Sequence, residues 1–441
     1  MPHDLPLVPA SHPDAELSFE QDHGALIRRS VLPGGVRVFT EHIPGMRSAT
    51  VGAWVGVGSR DETPEQAGST HFLEHLLFKG TPRRSAFDIA EAFDRVGGES
   101  NAMTAKEFTC YYARTIDVDL PMAIDVIGDM VTSARLDQED FDSERGVILE
   151  ELAMAEDDPG DIAHERFIEA VLSGHPLGRP IGGTPEIIRA VTRDAVEAHY
   201  RQHYVPEGLI VTAAGGLDHD LVCQLVQEAL TRGGWGLSQD RAPLARRDTN
   251  AQVQATVVPE VSISRDLEQS HVVLGSRGFK ATDDRRQNLA VFNAILGGGM
   301  SSRLFQEIRE KRGLTYAVYS FGMPSAETGV FGMYAACNPA RATEVTALME
   351  AEAHRMSEGV TPAELERAKG QIAGAMVLRL EDSYARMSRL GKAELVMGEL
   401  WSIGEALEQV HAVTADDVAS LGADLAAREH SLVRVGPGAD T

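Results

Sequence analysis

Residues 144–152 of the chain read ERGVILEEL, and a related stretch, ERAKGQIAG, occupies residues 366–374. The first stretch begins at Glu144 and the second at Glu366. The same separation recurs between AVTRDAVEA, which begins at Ala190, and AVTADDVAS, which begins at Ala412. A register kept over such a distance is hard to obtain from chance matches. It predicts that the chain consists of two homologous domains.

Each half of the chain mixes strand-like and helix-like patterns. The runs SATVGAWVGVG (48–58) and GLIVTAAGG (208–216) predict strands. The runs SAFDIAEAFDRVG (85–97) and MAIDVIGDMVTSARL (122–136) carry apolar residues at helical spacing and predict helices. Each domain is therefore expected to be α/β or α+β.

The division between the halves is predicted in a stretch without hydrophobic periodicity. We assign residues 1–235 to an N-terminal domain, residues 236–254 to a linker and residues 255–441 to a C-terminal domain. With 441 residues and 43% hydrophobic content, the chain can fill more than one core.

Composition disfavours several kinds of partner and site. The net charge of −25 disfavours nucleic acid and favours cationic ligands such as basic peptides, although acidity can also serve solubility alone. The N-terminal sequence has no signal-peptide pattern and no run is long enough to span a membrane, so a cytoplasmic location without a membrane partner is expected. The three cysteines lack C-x-x-C spacing, which argues against a disulfide framework and a thiolate zinc site.

The stretch STHFLEHLLFKGT (69–81) places two histidines four residues apart in an otherwise apolar run. On a helix, His71 and His75 lie on one face, with Glu74 one residue off that face. Two imidazoles at this spacing can hold a metal ion, which would also give these polar groups a partner in an apolar environment. The alternative is a core helix whose histidines bind backbone carbonyls. The corresponding positions of the second half have lost these side chains.

A catalytic zinc ion commonly takes three protein ligands, and two histidines with one glutamate are a known set. The predicted helix QEDFDSERGVILEELAMAED (138–157) offers several acids as the third ligand. Glu151 has apolar or small neighbours at all four helical contact positions. Glu150 has similar neighbours, so the local pattern favours Glu151 only narrowly.

With H-x-x-E-H at 71–75 and a glutamate farther along the chain at position 151, the protein resembles the pitrilysin family of inverzincin metallopeptidases. Within that family it looks most like the mitochondrial processing peptidase β subunit and its bacterial homodimeric relatives. Three further stretches are similar to the family's substrate-binding edge strand, a characteristic turn and the second-domain signature. These are ESNAMTAKEFTCYYA (99–113), HPLGRPIGGTPE (175–186) and LGGGMSSRLFQEIREKRGLTYAVYS (296–320).

The resemblance implies a fold and a metal site. The implied fold is α+β, with two homologous domains that are each a mostly antiparallel sheet packed with helices. In the family the third ligand lies seven residues after the glutamate of an E-R pair, and from Glu144 and Arg145 this gives Glu151. The implied cofactor is one Zn²⁺ per chain, held by His71, His75 and Glu151.

The resemblance also implies roles for neighbouring residues. Glu74 would take the proton of the attacking water, and Glu144 would orient a metal ligand. As a carboxylate at a helix start, Glu144 equally suits the helix dipole alone. Asn101, Ala102 and Met103 would bind substrate as an edge strand, although Asn101 is equally suited to an ordinary strand end.

A last implication concerns the assembly. Arg309 and Tyr316 stand seven residues apart, as does the family's Arg/Tyr pair that contacts substrate. Long family members carry four such domains in one chain, with zinc in the first and the Arg/Tyr pair in the fourth. A two-domain chain is therefore expected to form a homodimer whose active sites are shared between chains. The alternative is that Arg309 lies on a solvated helix face and Tyr316 is a structural strand residue.

The function predicted from these features is a zinc-dependent endopeptidase that cleaves peptides or unfolded segments inside a chamber, with a metal-activated water as nucleophile. The alternative is a non-catalytic peptide-binding or assembly subunit of the same fold. A metallohydrolase acting on another substrate class is a more distant alternative. The intact H-x-x-E-H motif favours the enzyme.

Overall fold

The computed structural model describes residues 2–21 and 24–438. In chain order its strands are β1 (His3–Asp4), β2 (Glu16–Glu20), β3 (Leu26–Val31), β4 (Arg37–His42), β5 (Ser48–Val55), β6 (Glu99–Thr104), β7 (Thr109–Ile116), β8 (Leu209–Gly215), β9 (Glu260–Ser264), β10 (Ser270–Arg277), β11 (Thr315–Pro324), β12 (Gly329–Cys337), β13 (Glu399–Leu400) and β14 (His430–Gly436). Its α-helices are α1 (Ser69–Leu76), α2 (Ala86–Asp94), α3 (Leu120–Ser133), α4 (Gln138–Asp157), α5 (Pro159–Val171), α6 (Pro185–Ala190), α7 (Arg193–His203), α8 (His219–Arg232), α9 (Arg286–Leu296), α10 (Ala342–Glu358), α11 (Pro362–Arg379), α12 (Ser383–Lys392), α13 (Ile403–Ala412) and α14 (Ala415–Ala426).

These elements form two compact units, each assembled from separate stretches of the chain. Unit 1 consists of Met1–Leu152, Ile181–Arg246 and Arg379–Ser402. Unit 2 consists of Ala153–Pro180, Arg247–Leu378 and Ile403–Thr441.

In the described part of unit 1, the central element is a seven-stranded sheet in the order β2-β3-β4-β8-β5-β7-β6. Neighbouring strands are antiparallel, except that β4 and β8 are parallel. Helix α3 packs against β5 and β7, and α8 packs against α3. The core on this face includes Val51, Tyr111 and Val211, because alternate strand residues point to the same side.

The opposite face of this sheet is covered by α12, which packs against β4, β5 and β8. Trp54, Ile210 and Met387 belong to the apolar cluster between the helix and the strands. Glycine allows the helix to come this close, since a Cβ at Gly391 would lie 2.4 Å from Trp54 Cε2. A Cβ at Gly52, on the strand side, would lie 2.7 Å from Met387 Sδ.

The described part of unit 2 repeats this plan around a five-stranded sheet in the order β11-β12-β10-β14-β9. Its strand pairs are antiparallel except for the parallel pair of β14 and β9. Helices α9, α10 and α14 pack together on one core, to which Phe292, Val345 and Val418 belong. Helix α5 packs on β10 and β14 and contributes Phe167 to a separate cluster.

The repeat seen in the sequence recurs in the structure. Strand β5 begins at Ser48 and β10 at Ser270, the same separation as that between the two related sequence stretches. Helices α3 and α10 keep this separation, since they begin at Leu120 and Ala342. The equivalent helices α5 and α12, however, each pack in the unit formed mainly by the other half. The linear boundaries at residues 235 and 255 stay a prediction about the sequence repeat, whereas the compact units follow the packing.

No helix within residues 2–21 and 24–438 has both the length and the hydrophobicity to cross a membrane.

Candidate metal centre

Helix α1 carries the H-x-x-E-H motif, and its start is held by a buried carboxylate. The Glu62 side chain accepts hydrogen bonds from the backbone N–H groups of Gly68 (2.8 Å) and Thr70 (2.7 Å). A negative charge at a helix N-terminus satisfies free N–H groups and complements the helix dipole. Phe72 and Leu73 are buried in the core, so the motif side chains on the remaining surface of α1 have a fixed orientation.

Helix α4 brings a glutamate to both histidines of α1. Glu151 Oε2 lies 3.4 Å from His71 Nε2 and 3.4 Å from His75 Nε2. Across the described residues these three form the one group of His, Cys, Asp or Glu side chains that could hold a metal, with all three ligand atoms within 4.8 Å of one another. Ligands at 2.0–2.1 Å from a tetrahedral zinc ion lie about 3.3 Å apart. The donor set and its spacing therefore fit Zn²⁺.

A second carboxylate of α4 holds one of the histidines. Glu144 Oε2 lies 2.9 Å from His75 Nδ1, and Glu144 Oε1 lies 2.5 Å from Lys79 Nζ. The Glu144 side chain is only 4% exposed. An N–H donated from Nδ1 to this carboxylate leaves the lone pair on Nε2, the nitrogen that faces Glu151.

His71 has a different environment. Its Nδ1 atom is buried and has no hydrogen-bond partner among the described residues. Burial, and next the neighbouring His75, lower the pKa of His71, which favours the neutral imidazole that metals bind. A Cβ at Gly182 would lie 3.5 Å from His71 Nδ1 and 2.8 Å from Leu152 Cδ2, so this glycine lets the loop pack close to the ring.

Glu74 points to the edge of the sheet rather than into the ligand group. Its Oε2 atom accepts a hydrogen bond from the backbone N–H of Thr104, the last residue of β6, at 3.1 Å. The Tyr111 hydroxyl donates to the carbonyl of Leu73 at 3.1 Å and so ties α1 to β7. The carboxylate of Glu74 is thus held at β6 and is not part of the candidate group formed by His71, His75 and Glu151.

Two family models match the chain, one described as Insulinase (Peptidase family M16) over residues 37–185 and one as Peptidase M16 inactive domain over residues 190–372. An uncharacterized zinc protease of Streptomyces coelicolor is 50% identical, with 94% of this chain and 91% of that protein covered. The chain belongs to the peptidase M16 family. The predicted resemblance to pitrilysin-like metallopeptidases is confirmed.

Further comparisons match another zinc protease sequence and two solved structures. An uncharacterized zinc protease of Bacillus subtilis is 35% identical, covering 93% of this chain and 98% of that protein. The structure of a peptidase M16 inactive domain from Pseudomonas fluorescens matches with a TM-score of 0.84 at 18% identity, covering 93% of this chain and 98% of that one. A Helicobacter pylori protease matches with a TM-score of 0.82 at 22% identity, covering 95% and 100%. The structural matches show the fold, and the predicted α+β class with two homologous domains is confirmed.

The predicted substrate strand of this M16 chain lies at a sheet edge. Strand β6 pairs with β7 on one side and is the last strand of its sheet. Asn101 is exposed, and its Oδ1 accepts a hydrogen bond from the N–H of Ala102 at 2.8 Å. Ala102 is buried, and Met103 packs against the cluster that contains Trp54.

The structure brings the predicted Arg/Tyr pair of unit 2 into contact. Arg309 Nη1 donates to the carbonyl of Tyr316 at 2.9 Å, and the guanidinium carbon lies 4.5 Å from the Tyr316 ring centroid. The register of β11 with β12 shifts between Thr315 and Ala317, and the Tyr316 side chain at this point is 77% exposed. A cation–π contact of this kind orients the tyrosine ring.

Sequence reasoning missed two residues that support the motif helix. Lys79 lies four residues after His75, the spacing at which helical neighbours share a face, and this could have indicated its position. Glu62 lies well before the first residue of the helix, Ser69, and no local pattern marks it as a cap.

Proposed function

We propose that this M16 chain is a zinc-dependent endopeptidase that cleaves peptides or unfolded segments, with His71, His75 and Glu151 as zinc ligands and Glu74 as the catalytic base. The observation that carries the proposal is the convergence of two imidazole Nε2 atoms on one carboxylate oxygen, at 3.4 Å each. Relatives named as zinc proteases support the same chemistry.

Zn²⁺ bound there would supply a Lewis acid that polarises a peptide carbonyl and acidifies a water molecule. Glu74 would take the proton of the attacking water and later return it to the leaving amine. Its hydrogen bond from the Thr104 N–H fixes the carboxylate beside the ligands. Glu144 holds the ring of His75 in the orientation that presents Nε2.

The substrate is proposed to add to β6 as a further strand. Asn101, Ala102 and Met103 lie on this edge strand, where backbone hydrogen bonds give affinity with little demand on sequence. The net charge of −25 favours basic peptides, whose binding should weaken as salt screens the charges.

We further propose that two chains form a homodimer that encloses a chamber. Each active site would then combine the zinc ion of one subunit with Arg309 and Tyr316 of the other. The Tyr316 hydroxyl could donate a hydrogen bond to the oxyanion formed on attack, an interaction stronger in the transition state than in the ground state. A cytoplasmic location stays a prediction.

The decisive experiment separates catalysis from metal binding. Glu74→Gln removes the base and spares the ligands, so it should abolish cleavage of a quenched-peptide library while zinc content stays near that of the wild type. Glu65→Gln, an exposed glutamate in the turn before α1, is the matched control and should retain activity.

Loss of zinc from Glu74→Gln would instead make Glu74 a ligand. A wild-type protein that contains no zinc, although it was prepared with zinc supplied, would support the alternative of a non-catalytic peptide-binding subunit. One that contains zinc but cleaves no peptide would point to another substrate class.

A further inference from the structure

Lys79 occupies the turn that continues helix α1 beyond the motif. Its ammonium group lies 2.5 Å from Glu144 Oε1, while the other oxygen of Glu144 lies 2.9 Å from His75 Nδ1. Glu144 therefore has one oxygen on the lysine and the other on the histidine. The three residues form a continuous chain of charge-assisted hydrogen bonds that ends on a proposed metal ligand.

Each of the two helical segments supplies one member of the ion pair and at least one proposed metal ligand. The segment 69–79 supplies the ligand His75 and, four residues on, the cation Lys79. Helix α4 supplies Glu144 and, seven residues on, the ligand Glu151. The ion pair of Lys79 with Glu144 therefore fixes the register of one segment against the other, at the level where their ligands must meet.

Because Glu144 is buried, its carboxylate depends on Lys79 as a partner. A carboxylate that is 4% exposed needs partners for both oxygens, because an unpaired buried charge is costly. With Lys79 holding Oε1, rotation of the carboxylate is restricted and Oε2 stays directed at His75. The other histidine lacks such support, since His71 Nδ1 has no partner among the described residues.

We infer that Lys79 is a positioning residue of the metal site, which acts through Glu144 to orient His75. The inference rests on the proposed function, because it concerns the affinity of the site for zinc. An ion pair that contributed to stability alone would leave metal affinity unchanged. Mutation of a residue that hydrogen-bonds to a metal ligand typically lowers metal affinity by about 10- to 100-fold.

The test measures the dissociation constant for Zn²⁺ by chelator competition, with thermal unfolding of the metal-free protein recorded in parallel. Lys79→Met should weaken zinc binding by about 10-fold, the low end of the range for such partners. Lys79→Arg keeps the charge and should restore most of the affinity. The matched control is Lys311→Met, which removes a lysine paired with Glu307 at 2.9 Å and should leave affinity unchanged.

The same substitution is then made in a Glu144→Gln background. If Lys79 acts through Glu144, Lys79→Met should cause no further loss of zinc affinity there. An equal loss in both backgrounds, or no loss in the wild-type background, would overturn the inference. Should Lys79→Met not fold, Lys79→Gln provides the same comparison. A wild-type protein that binds no zinc would overturn the proposed function itself, a result distinct from either of these.

Discussion

At the scale of single residues, the proposed third metal ligand shows the limit of a sequence pattern. The pattern narrowed the choice to two neighbouring glutamates, and the packing of α4 decides which of them faces the histidines. Glu150 and Glu151 are adjacent, both are exposed, and both have apolar or small helical neighbours. In the structure only Glu151 belongs to the group with His71 and His75. The difference is one of direction around the helix, since adjacent residues point about 100° apart.

Substitution of each glutamate by glutamine tests this assignment. Glu151→Gln replaces a charged oxygen ligand by a weak neutral one and should lower zinc affinity by about 100-fold or more, in line with loss of one of three ligands. Glu150→Gln should leave affinity within about threefold. The measurement is zinc occupancy after dialysis against a graded chelator. Equal losses, or a larger loss for Glu150→Gln, would contradict the assignment.

The supporting residues Glu62 and Lys79 were harder to predict from the sequence than the proposed ligands. His71, Glu74 and His75 lie within one local motif, whose helical spacing can be read directly. Glu62 and Lys79 depend on contacts that a local pattern does not encode. Lys79 and its partner Glu144 are far apart in the chain, so their contact is defined only by the packing of α4 against the motif segment.

At the scale of elements, the helices themselves were predictable but one aspect of their packing was not. The predicted helix 138–157 coincides with α4, and the runs 48–58 and 208–216 contain β5 and β8. Nothing in the sequence of α12 indicates that it packs in unit 1 with the sheet of the first half. An amphipathic pattern shows that a helix has a buried face, but it does not name the surface that buries that face.

The close contact of α12 with its sheet can be tested at Gly391. A Cβ there would lie 2.4 Å from the Trp54 ring, so Gly391→Ala should force the helix away and destabilise unit 1 by about 1–3 kcal/mol. Gly374→Ala in α11, where a Cβ would meet nothing within 4 Å, should instead stabilise the protein by up to about 1 kcal/mol through helix propensity. Urea unfolding of both variants measures the difference. If Gly391→Ala were as stable as Gly374→Ala, the packing described for α12 would be wrong.

At the scale of the whole molecule, the internal repeat was the most informative feature of the sequence. It predicted two homologous domains, because a fold duplicated in one chain keeps its order of elements while its side chains diverge. The positions equivalent to the three proposed ligands are Asn293, Gly297 and Ala373, so the second half keeps the scaffold without the metal-binding groups. The second half instead contains the contact between Arg309 and Tyr316.

The proposed metal ligands lie in the first half of the chain and the Arg309–Tyr316 pair lies in the second half, and this leads to the prediction about the dimer. Glu74→Gln and Tyr316→Phe should each be nearly inactive alone, the first for want of a base and the second for want of an oxyanion donor. When the two variants are co-folded, the mixed dimer is isolated through different affinity tags. If the site is shared between chains, one active site receives both defects and the other receives none. The mixed dimer should then regain about half of the wild-type activity per dimer, since one of two independent sites is intact.

The control for this experiment is a mixed dimer of Glu74→Gln with His71→Ala, whose defects both lie in the metal half. A shared site then still carries one defect in each of its two copies, so no activity should return. If activity recovers in the first mixed dimer and not in the second, Tyr316 acts at the metal site of the partner chain. A verified Glu74→Gln and Tyr316→Phe dimer without recovered activity would exclude the shared site, because every active site in a cis arrangement carries one of the two defects.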